Sequence, residues 1–378
     1  MNIAIDGRGA FHYRGTGIGT YTWRLIDAFE HGSALNAPKH RLRVFLPGEE
    51  YRGITIGDNA PVFPHQGGDL WRDYFLGPAL QREKAELYHV PQNGIGLPKE
   101  KQCLETVTIH DMIPYVFPET VGKGYLKEFL GEMPSIIQRS DGIITVSECS
   151  KNDILRLFDY PEDRIAVIAE AAEPIYRPIP KEKAKAFLGE RYGIFGDYLI
   201  YVGGYGIRKN VKALLVALSL LKKENDINVK LVLPGKRHRD FDQLEQLAEA
   251  LGIADRVVFP GFVPVEELPY FYGGAQLMVY PSLYEGFGLP PLEAMAMGIP
   301  VLAARSSSLG EVLGDAAVYF NPLDSCELAS YLYALLNCDG KRRIMGEQGL
   351  ARSKEYSWQK TAQETVDFWE HIKSLGPK

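Results

Sequence analysis

The sequence predicts an α/β protein made of two doubly wound domains that face each other across a cleft. Short β-rich runs alternate with helical stretches along almost the whole chain, a pattern typical of parallel sheets covered by helices on both faces. The alternation stops over residues 170–181, where "EAAEPIYRPIPK" contains three prolines and no periodicity. The length of 378 residues also favours two domains over one.

The first half of the chain contains six predicted strands with helices between them. The strands are 2–6, 42–47, 86–90, 106–110, 142–146 and 164–169, and the helices lie near 20–31, 70–84, 122–139 and 147–158. Ser147 precedes the last of these helices and is the predicted N-cap, because its hydroxyl can accept a backbone N–H. We expect residues 1–172 to form the first domain.

The second half repeats the pattern and predicts a second domain over residues 173–355. The strands are 198–204, 229–235, 256–261, 276–282, 300–304 and 316–320, and the helices lie near 209–224, 240–251, 265–273, 291–297 and 323–337. The last segment, 356–372, has an amphipathic helical pattern with three large aromatic side chains available for packing. By its pattern alone, this segment could belong to either domain.

Composition and charge exclude several classes of protein. The formal net charge of −6 argues against a broad nucleic-acid surface, and the one dense basic run, 236–239, is typical of a solvated face. The sequence has no apolar run of transmembrane length, no signal peptide, and no cysteine spacing typical of a metal site or a disulfide framework. We predict a cytoplasmic protein, which could still dock peripherally at the inner face of the plasma membrane through a local patch.

Residues 280–304, "YPSLYEGFGLPPLEAMAMGIPVLAA", predict a strand end, a glycine loop and a helix. Gly286 and Gly288 lack side chains, so backbone N–H groups in the loop can approach a ligand closely. Pro290 and Pro291 suit the start of a helix, where a missing N–H has little effect. The free N–H groups and the dipole at that helix start favour a bound anion.

Two carboxylates, Glu285 and Glu293, flank this join between loop and helix. Glu293 is predicted to lie in the first helical turn, where helix capping alone could account for it. Glu285 lies among backbone donors on the loop, where it would be a good acceptor for sugar hydroxyls. The two could hold two hydroxyl-bearing parts of one ligand with an anion between them, which is the layout of a nucleotide-sugar.

A second loop, "YVGGYGIRKN" (201–210), places Arg208 and Lys209 just before a predicted helix. Two cations at a helix N-terminus oppose the helix dipole unless an anion neutralises them. A diphosphate fits this role, since arginine offers a planar fork and lysine a point charge. The alternative is a solvent-exposed pair, and the flanking glycines favour the functional interpretation.

A third loop, within residues 6–26, contains Gly15, Gly17 and Gly19. About ten residues separate the first strand from these glycines, whereas a dinucleotide fingerprint follows its strand at once. We interpret the segment as a longer glycine loop that runs into a helix. Its backbone N–H groups could reach a phosphate or hydroxyl from the opposite wall of the predicted cleft.

Three further features are weaker signals. His110 follows a strand end that faces the predicted cleft, which favours a functional role over a structural one. The "DFD" sequence at 240–242 looks like a metal clamp but is more simply a helix cap with a first-turn acid. The serines of 306–308 stand at a helix start, where they could contact an anion.

These segments together resemble a known family. Residues 284–322, "YEGFGLPPLEAMAMGIPVLAARSSSLGEVLGDAAVYFNP", closely resemble the Glu-x7-Glu region of the family 4 retaining glycosyltransferases of the GT-B fold. The stretches "YVGGYGIRKN", "TIHDMIPYVFPE", "IITVSECSKNDI" and "GTGIGTYTWRLI" look like other segments of that family, in the right order. The resemblance spans nearly the whole chain, and the Glu-x7-Glu stretch is its most specific part.

The resemblance implies transfer of a sugar from a nucleotide-sugar to an acceptor, with retention of the anomeric configuration. Glu293 would hold the ribose hydroxyls, and Glu285 would face the donor sugar. Arg208 and Lys209 would bind the diphosphate and stabilise the leaving group. The loop residues expected beside the donor are Gly286, Phe287, Gly288 and Leu289.

The resemblance also assigns roles outside this loop. His110 would lie near the donor sugar and the reacting centre, and Gly17 and Gly19 would line the cleft from the N-terminal side. The family needs no metal or other cofactor, and its last helix, here 356–378, packs back on the first domain. The sequence shows no obvious nucleophile, so same-face attack assisted by the leaving phosphate is the favoured hypothesis.

Departures from the common family pattern bear on the donor and the acceptor. This chain has "EAAEP" at 170–174 where many members have an Asn-Gly pair, Gly310 where proline is usual, and a short "RKN" at 208–210. The "RKN", "TIHD" and "EAAEP" forms look most like bacterial members that build polysaccharide or lipopolysaccharide chains, often mannosyltransferases. They favour GDP-mannose as the donor and a glycan or lipid-linked sugar as the acceptor, with UDP-glucose and other UDP-sugars as the alternative.

Other functions were weighed against this one. A nucleotide-sugar epimerase of the same fold would need no acceptor, and a glycoside phosphorylase would need a far longer chain. An NAD-dependent oxidoreductase is suggested only by the N-terminal glycines, and a non-catalytic binding protein would not need Glu285 with both cations. The acceptor is expected near 64–80 and 112–128, and residues 170–181 are the expected hinge for domain closure.

Overall fold

The structure is a computed structural model that describes residues 1–12, 15–32, 34, 40–47, 62–63, 76–225, 227–236 and 239–378. The chain divides into two compact units. The first unit combines Met1–Glu170 with Ser357–Lys378, and the second is Ala171–Tyr356. The boundary drawn from the sequence, between residues 172 and 173, lies two residues from this division.

The first unit contains a seven-stranded sheet within the described residues. Its strands are β1 (Asn2–Asp6), β2 (Arg41–Pro47), β3 (Val62–Phe63), β4 (Leu87–Val90), β5 (Leu104–Ile109), β6 (Gly142–Thr145) and β7 (Ile165–Val167). They lie in the order β3-β2-β1-β4-β5-β6-β7, and neighbours pair in parallel. β4 and β6 are buried along their whole length, as expected for central strands covered on both faces.

Helices cover this sheet. They are Arg8–His12, Gly17–His31, Leu76–Arg82, Ile113–Val116, Lys123–Arg139, Glu148–Leu157 and Trp358–Leu375, with single 3₁₀ turns at Pro118–Thr120 and Glu162–Arg164. The predicted cap is confirmed, because Ser147 Oγ accepts a hydrogen bond from Ser150 N at 3.1 Å. Arg8–His12 and Ile113–Val116 were not predicted, since each is too short to show a helical period.

The last helix, Trp358–Leu375, is part of the first unit's core. Trp369 is fully buried, and its ring centroid lies 5.4 Å from that of Phe29. Thr361 Oγ1 donates a hydrogen bond to the carbonyl oxygen of Ala169 at 2.7 Å. The helix therefore holds the unit both by apolar burial and by a hydrogen bond to the segment that follows β7.

The second unit contains a six-stranded sheet within the described residues. Its strands are β8 (Tyr198–Ile200), β9 (Lys230–Val232), β10 (Val257–Val258), β11 (Leu277–Tyr280), β12 (Val301–Ala304) and β13 (Val318–Phe320). They lie in the order β10-β9-β8-β11-β12-β13, again in parallel. In both sheets the first strand is internal, and the chain adds strands first on one side of it and then on the other. This order confirms the predicted doubly wound class.

The helices of the second unit are more numerous than the sequence predicted. They are Lys181–Tyr192, Val211–Asn225, Arg239–Ala250, Leu268–Gly274, Leu289–Ala296, Leu309–Leu313, Ser325–Leu336 and Asp339–Ser353, with 3₁₀ turns at Ile207–Lys209, Ala254–Arg256 and Gly314–Ala316. Lys181–Tyr192 and Asp339–Ser353 were missed, whereas Leu309–Leu313 follows the serines that the sequence placed at a helix start. Asp339–Ser353 buries two glycines rather than an apolar stripe, so its amphipathic signal is weak.

Some sequence predictions fall on residues outside the described ranges. These are residues 237–238 of the basic run, the beginning of the predicted 70–84 helix, and residues 64–75 of the expected acceptor segment. In the part of the chain that is described, no helix has both the length and the apolar character needed to cross a bilayer.

Candidate active site

Sheet topology brings two of the predicted loops together in the second unit. β8 and β11 are neighbours, with Leu199 opposite Leu277, so the loops that follow them leave the same edge of the sheet. Leu283 N donates a hydrogen bond to the carbonyl oxygen of Arg208 at 2.8 Å, which fastens one loop to the other. Residues 75 positions apart along the chain are thus held side by side.

Asn210 fixes the turn between the cations and the following helix. Its backbone is left-handed, with φ of 55°, a conformation that asparagine tolerates better than most residues. Its side chain donates to the carbonyl oxygens of Pro281 at 3.2 Å and Pro322 at 2.8 Å. Arg208 and Lys209 therefore stand in a 3₁₀ turn before the helix Val211–Asn225, as predicted.

Glu285 lies at the centre of this cluster and is only 7% exposed. Its Oε1 is 2.7 Å from Lys209 Nζ, and its Oε2 is 3.1 Å from an Arg208 guanidinium nitrogen. Tyr280 and Ser282 donate hydroxyl hydrogen bonds to Oε1, at 3.0 and 2.5 Å. The carboxylate thus has two cations and two hydroxyl donors within contact distance.

The charges around Glu285 decide its protonation state. Burial alone would raise the pKa of its carboxyl, but Lys209 and Arg208 outweigh burial and lower the pKa to about 2. The sequence argument required an anion to neutralise two cations near a helix start. In the structure that anion is a side chain of the protein itself, so the cations do not need a diphosphate to be stable there.

Three serines hold the loop that carries Glu285. Ser306 Oγ donates to the carbonyl oxygen of Ser282 at 2.6 Å, and Ser308 Oγ donates to that of Glu285 at 2.9 Å. Ser307 Oγ accepts from Glu285 N at 2.8 Å, although Ser307 has a left-handed backbone, with φ of 42°. The structure therefore gives these hydroxyls a role on the loop backbone, and the anion contact that the sequence suggested for them remains a prediction.

Glu293 does not lie where the sequence placed it. The helix begins at Leu289, so Glu293 is its fifth residue and lies beyond the first turn. The helix does begin with the predicted prolines, but no side chain caps it, and Glu293 makes a different contact. Tyr272 donates a hydrogen bond to Glu293 Oε2 at 2.8 Å. The capping interpretation of Glu293 is therefore wrong.

The surroundings of Glu293 differ from those of Glu285. Burial raises the pKa of the Glu293 carboxyl to about 7, hydrogen bonds from Tyr272 and Tyr176 work in the opposite direction, and the charge of Glu173 adds to the rise. No cation is among the groups that shift it. The half-buried carboxyl is therefore close to half-protonated at neutral pH.

The loop residues between the two acids are well ordered by packing. Gly286, Phe287 and Gly288 are all buried, and Leu289 begins the helix. Gly288 has φ of 110°, and a Cβ there would lie 2.7 Å from a methyl carbon of Leu309. Only glycine fits this position without strain. The predicted donor contacts of these four residues remain predictions.

His110 lies in the first unit at the end of β5, where the sequence placed it, and is buried. Its Nδ1 is 3.0 Å from Glu170 Oε1, and its Nε2 is 2.9 Å from the carbonyl oxygen of Pro91. Burial alone would lower the pKa of His110, but the hydrogen bond and charge of Glu170 raise it above its usual value. The expected place of His110 near a donor sugar remains a prediction.

Gly17 and Gly19 belong to a helix rather than to a loop. The helix Gly17–His31 starts at the first of them, and Thr16 caps it by accepting a hydrogen bond from Gly19 N at 3.2 Å. The predicted long glycine loop is therefore wrong at these two positions, because a hydroxyl cap allows the helix to begin early. Gly17 is exposed and Gly19 is buried.

Sequence reasoning missed several residues that hold the candidate site. They are Tyr176, Tyr272, Tyr280, Ser282 and Glu170, all of which contact a predicted site residue. Tyr280 and Ser282 were within the quoted motif and could have been considered. Tyr272 and Glu170 gave no signal, because their partners lie 21 and 60 positions away along the chain.

Comparisons with known proteins agree with this description. Residues 196–352 match the model of the family described as glycosyl transferases group 1. The chain is 35% identical over 291 residues to O-antigen chain mannosyltransferase B of Escherichia coli, covering 77% of this chain and 76% of that protein. It is 29% identical over 284 residues to serotype-specific mannosyltransferase WbdA of Escherichia coli, covering 74% of this chain and 35% of that protein.

A solved structure shares the whole architecture. Sucrose-phosphate synthase from Thermosynechococcus elongatus superposes with a TM-score of 0.76 over 100% of both chains, at 20% identity. At that identity the likeness shows the fold alone, which is the GT-B arrangement of two Rossmann-like units. Together with the matched family model and the 35% identity to a curated relative, this shows that the chain belongs to the group 1 glycosyltransferase family.

Proposed function

We propose that this protein is a mannosyltransferase that moves mannose from GDP-mannose to a glycan or lipid-linked sugar in the synthesis of a bacterial cell-surface polysaccharide. The observation that carries the proposal is the identity to O-antigen chain mannosyltransferase B over three quarters of both chains. The buried cluster of Glu285, Arg208 and Lys209 supports it, because a reaction that expels a nucleoside diphosphate needs fixed positive charge.

The proposed reaction retains the anomeric configuration. The acceptor hydroxyl oxygen bonds to the mannose anomeric carbon on the face from which GDP leaves. The bond between that carbon and the β-phosphate oxygen breaks, and GDP takes its electron pair. The acceptor proton passes to the departing phosphate. Glu285 is unsuited to be a covalent nucleophile, since both of its oxygens are held by cations and hydroxyls.

Each predicted site residue of the second unit has a proposed role. Arg208 and Lys209 bind the diphosphate and share their charge with Glu285, which orients them and faces the donor sugar. Glu293 accepts hydrogen bonds from the ribose hydroxyls, and the amides of the 286–289 loop lie beside the donor. In the first unit, His110 lies near the reacting centre, and Gly17 and Gly19 line the donor side.

We further propose that catalysis needs no metal or other cofactor. Two side-chain cations in the cluster supply the charge that a divalent metal would otherwise provide to a leaving diphosphate. We also propose that the enzyme acts in the cytoplasm, and that a lipid-linked acceptor brings it to the inner face of the plasma membrane. Incubation with EDTA should leave the rate of transfer unchanged.

The test is thermal-shift binding against GDP, GDP-mannose, UDP, UDP-glucose and NAD, followed by product analysis with the donor that binds. We expect selective stabilisation by GDP and GDP-mannose, and an axial glycosidic linkage in the product by NMR. Stabilisation by UDP-sugars would contradict the mannose donor and leave the fold family intact. Release of free sugar without any acceptor would indicate an epimerase and refute transfer.

A further inference from the structure

The His110 ring is engaged at both nitrogens by groups of this chain. Pro91 contributes a carbonyl oxygen, which can only accept, so the hydrogen bond at Nε2 requires a proton on Nε2. Glu170 contributes a carboxylate oxygen 3.0 Å from Nδ1, which an Nδ1 proton would satisfy in the same way. Both contacts are satisfied together by the doubly protonated, positively charged ring.

The surroundings of this pair favour a single fixed charge. His110 is 6% exposed and Glu170 is 4% exposed, so both side chains of this contact are buried. The Tyr21 ring meets the imidazole edge-on, 4.7 Å between centroids, and Asp111 adds negative charge from the next position. His89 stays neutral, since burial and then the charge of His110 lower its pKa to about 3.

Hydrogen bonds around His110 connect several elements at the carboxyl edge of the first sheet. Its backbone N donates to Asn93 Oδ1 at 2.9 Å, and its carbonyl oxygen accepts from Ser150 Oγ at 2.9 Å. With Pro91 and Glu170, these contacts join the segments after β4, β5 and β7 to the helix that follows β6. His110 therefore connects these segments at the carboxyl edge of the first sheet through hydrogen bonds of both its backbone and its ring.

We propose that Glu170 is a positioning residue that holds His110 as a fixed imidazolium, and that His110 consequently takes no proton from the acceptor hydroxyl. The inference rests on the proposed function and deepens it. A general base needs a free lone pair within reach of the proton it removes. An imidazolium held at both nitrogens has none, so the acceptor proton goes to a phosphate oxygen of the leaving GDP.

The first experiment measures the protonation of the His110 ring directly and needs no substrate. Nitrogen-15 NMR of the histidine rings from pH 6 to 8 should show both His110 nitrogens protonated in the wild type. In Glu170→Gln the His110 signals should titrate within that range, and in Glu170→Asp they should return towards the wild-type pattern. Glu370→Gln is the matched control, because Glu370 contacts His40 at 2.9 Å in the same unit, away from His110.

The second experiment compares pH profiles of transfer. Wild type and Glu370→Gln should show no basic group near pH 7 in kcat. Glu170→Gln should lose about tenfold in kcat at pH 8 and less at pH 6, because only the higher pH removes the ring charge. A purely structural role would give the same loss at both pH values, with unchanged histidine signals.

Two results would overturn the proposal. One is a wild-type His110 ring with an unprotonated nitrogen at pH 7. The other is a Glu170→Gln variant whose His110 signals and pH profile match the wild type. If the wild type shows the charged ring but transfers no sugar, the proposed function fails while the assignment of the ring stands.

Discussion

Glu285 and Glu293 stand eight positions apart on the same loop and helix, yet their carboxyl groups lie in opposite electrostatic surroundings. Glu285 touches two cations and has a pKa of about 2, whereas Glu293 touches tyrosine hydroxyls near another acid and has a pKa of about 7. Burial raises the pKa of both carboxyls. The comparison teaches that burial alone does not set the charge of an acid and that the partners do.

The two acids should therefore contribute to stability and binding in different ways. Glu285 is the anion of a compact ion cluster, so its removal takes away the carboxylate that two half-buried cations contact. Glu293 is an acid that burial makes harder to ionise, so its removal should relieve a penalty at high pH. Removal of Glu285 should mainly affect binding of the diphosphate of a donor, and removal of Glu293 should mainly affect binding of the ribose.

The largest expected effect is that of Glu285→Gln, which keeps the shape and removes the charge. Removing the negative charge that Arg208 and Lys209 contact should lower the free energy of unfolding by about 3 kcal/mol, measured by urea denaturation at pH 7. Transfer should fall by roughly a hundredfold. Glu347→Gln is the control, since its ion pair with Arg343 is exposed and should be worth less than about 0.5 kcal/mol.

Acid titration of the wild type and of Glu285→Gln tests the same ion cluster through its pH dependence. A carboxyl with a lowered folded-state pKa stabilises the fold above its unfolded value, 4.5 for glutamate, and loses that contribution as pH falls through the folded value. The Glu285 contribution should therefore disappear between about pH 4.5 and pH 2. A Glu285→Gln variant with unchanged acid sensitivity in that window would contradict the buried ion cluster.

Lys209→Met should have the next largest effect. It removes the cation that lies 2.7 Å from Glu285 and keeps the aliphatic length. We expect GDP binding to weaken by about 10- to 100-fold in Kd, measured by calorimetry, because a charged hydrogen bond is worth about 1.5–3 kcal/mol. Lys212→Met, three positions further on an exposed helix face, should bind GDP as the wild type does. Equal binding by both variants would remove Lys209 from the donor site.

Glu293→Gln should change stability with the opposite pH dependence. A carboxyl with a raised folded-state pKa contributes its stability below the unfolded value of 4.5, and that contribution is lost as pH rises through about 7. At pH 8 the free energy of unfolding of the variant should therefore exceed that of the wild type by up to about 2 kcal/mol. This difference should disappear near pH 5. A stability difference that does not vary between pH 5 and pH 8 would contradict this.

Gly17→Ala should have the smallest effect on the fold. A Cβ at position 17 meets nothing within 4 Å, and alanine favours a helix by about 1 kcal/mol over glycine, less in a first turn. The Tm of the variant should therefore be unchanged or slightly higher than that of the wild type. A raised KM for the donor at unchanged stability would support a ligand contact at Gly17, and an unchanged KM would remove it from the predicted site.

The sequence predicted the strands well and the helices less completely. All twelve predicted strands are present, and β3 was missed. Strands buried on both faces leave a strong apolar signal, as in β4 and β6. The helix Asp339–Ser353 left little signal, since it packs through small residues such as Gly346 and Gly349.

The candidate site was predicted in its residue types and less well in its contacts. Arg208, Lys209 and Glu285 were singled out, but the ion pairs between them were not foreseen, because Lys209 and Glu285 are 76 positions apart. The helix was expected to begin later, which placed Glu293 wrongly in its first turn. The hydrogen bond that Ser307 accepts from the backbone of the neighbouring loop was also not foreseen.

By itself, the sequence determined the alternation of strands and helices, the glycine and proline positions of the 286–291 turn, and the types of side chain available for chemistry. These properties depend on local backbone preference and on periodic burial, which neighbouring residues carry. Only the tertiary structure decided which charges meet. Glu285 is ionised because Lys209 arrives from the neighbouring strand's loop, whereas Glu293 is hard to ionise because burial and the charge of Glu173 raise its pKa and no cation is among the groups that shift it. Electrostatic interactions act through space over a few ångströms, and the fold, rather than the order of residues, sets those distances.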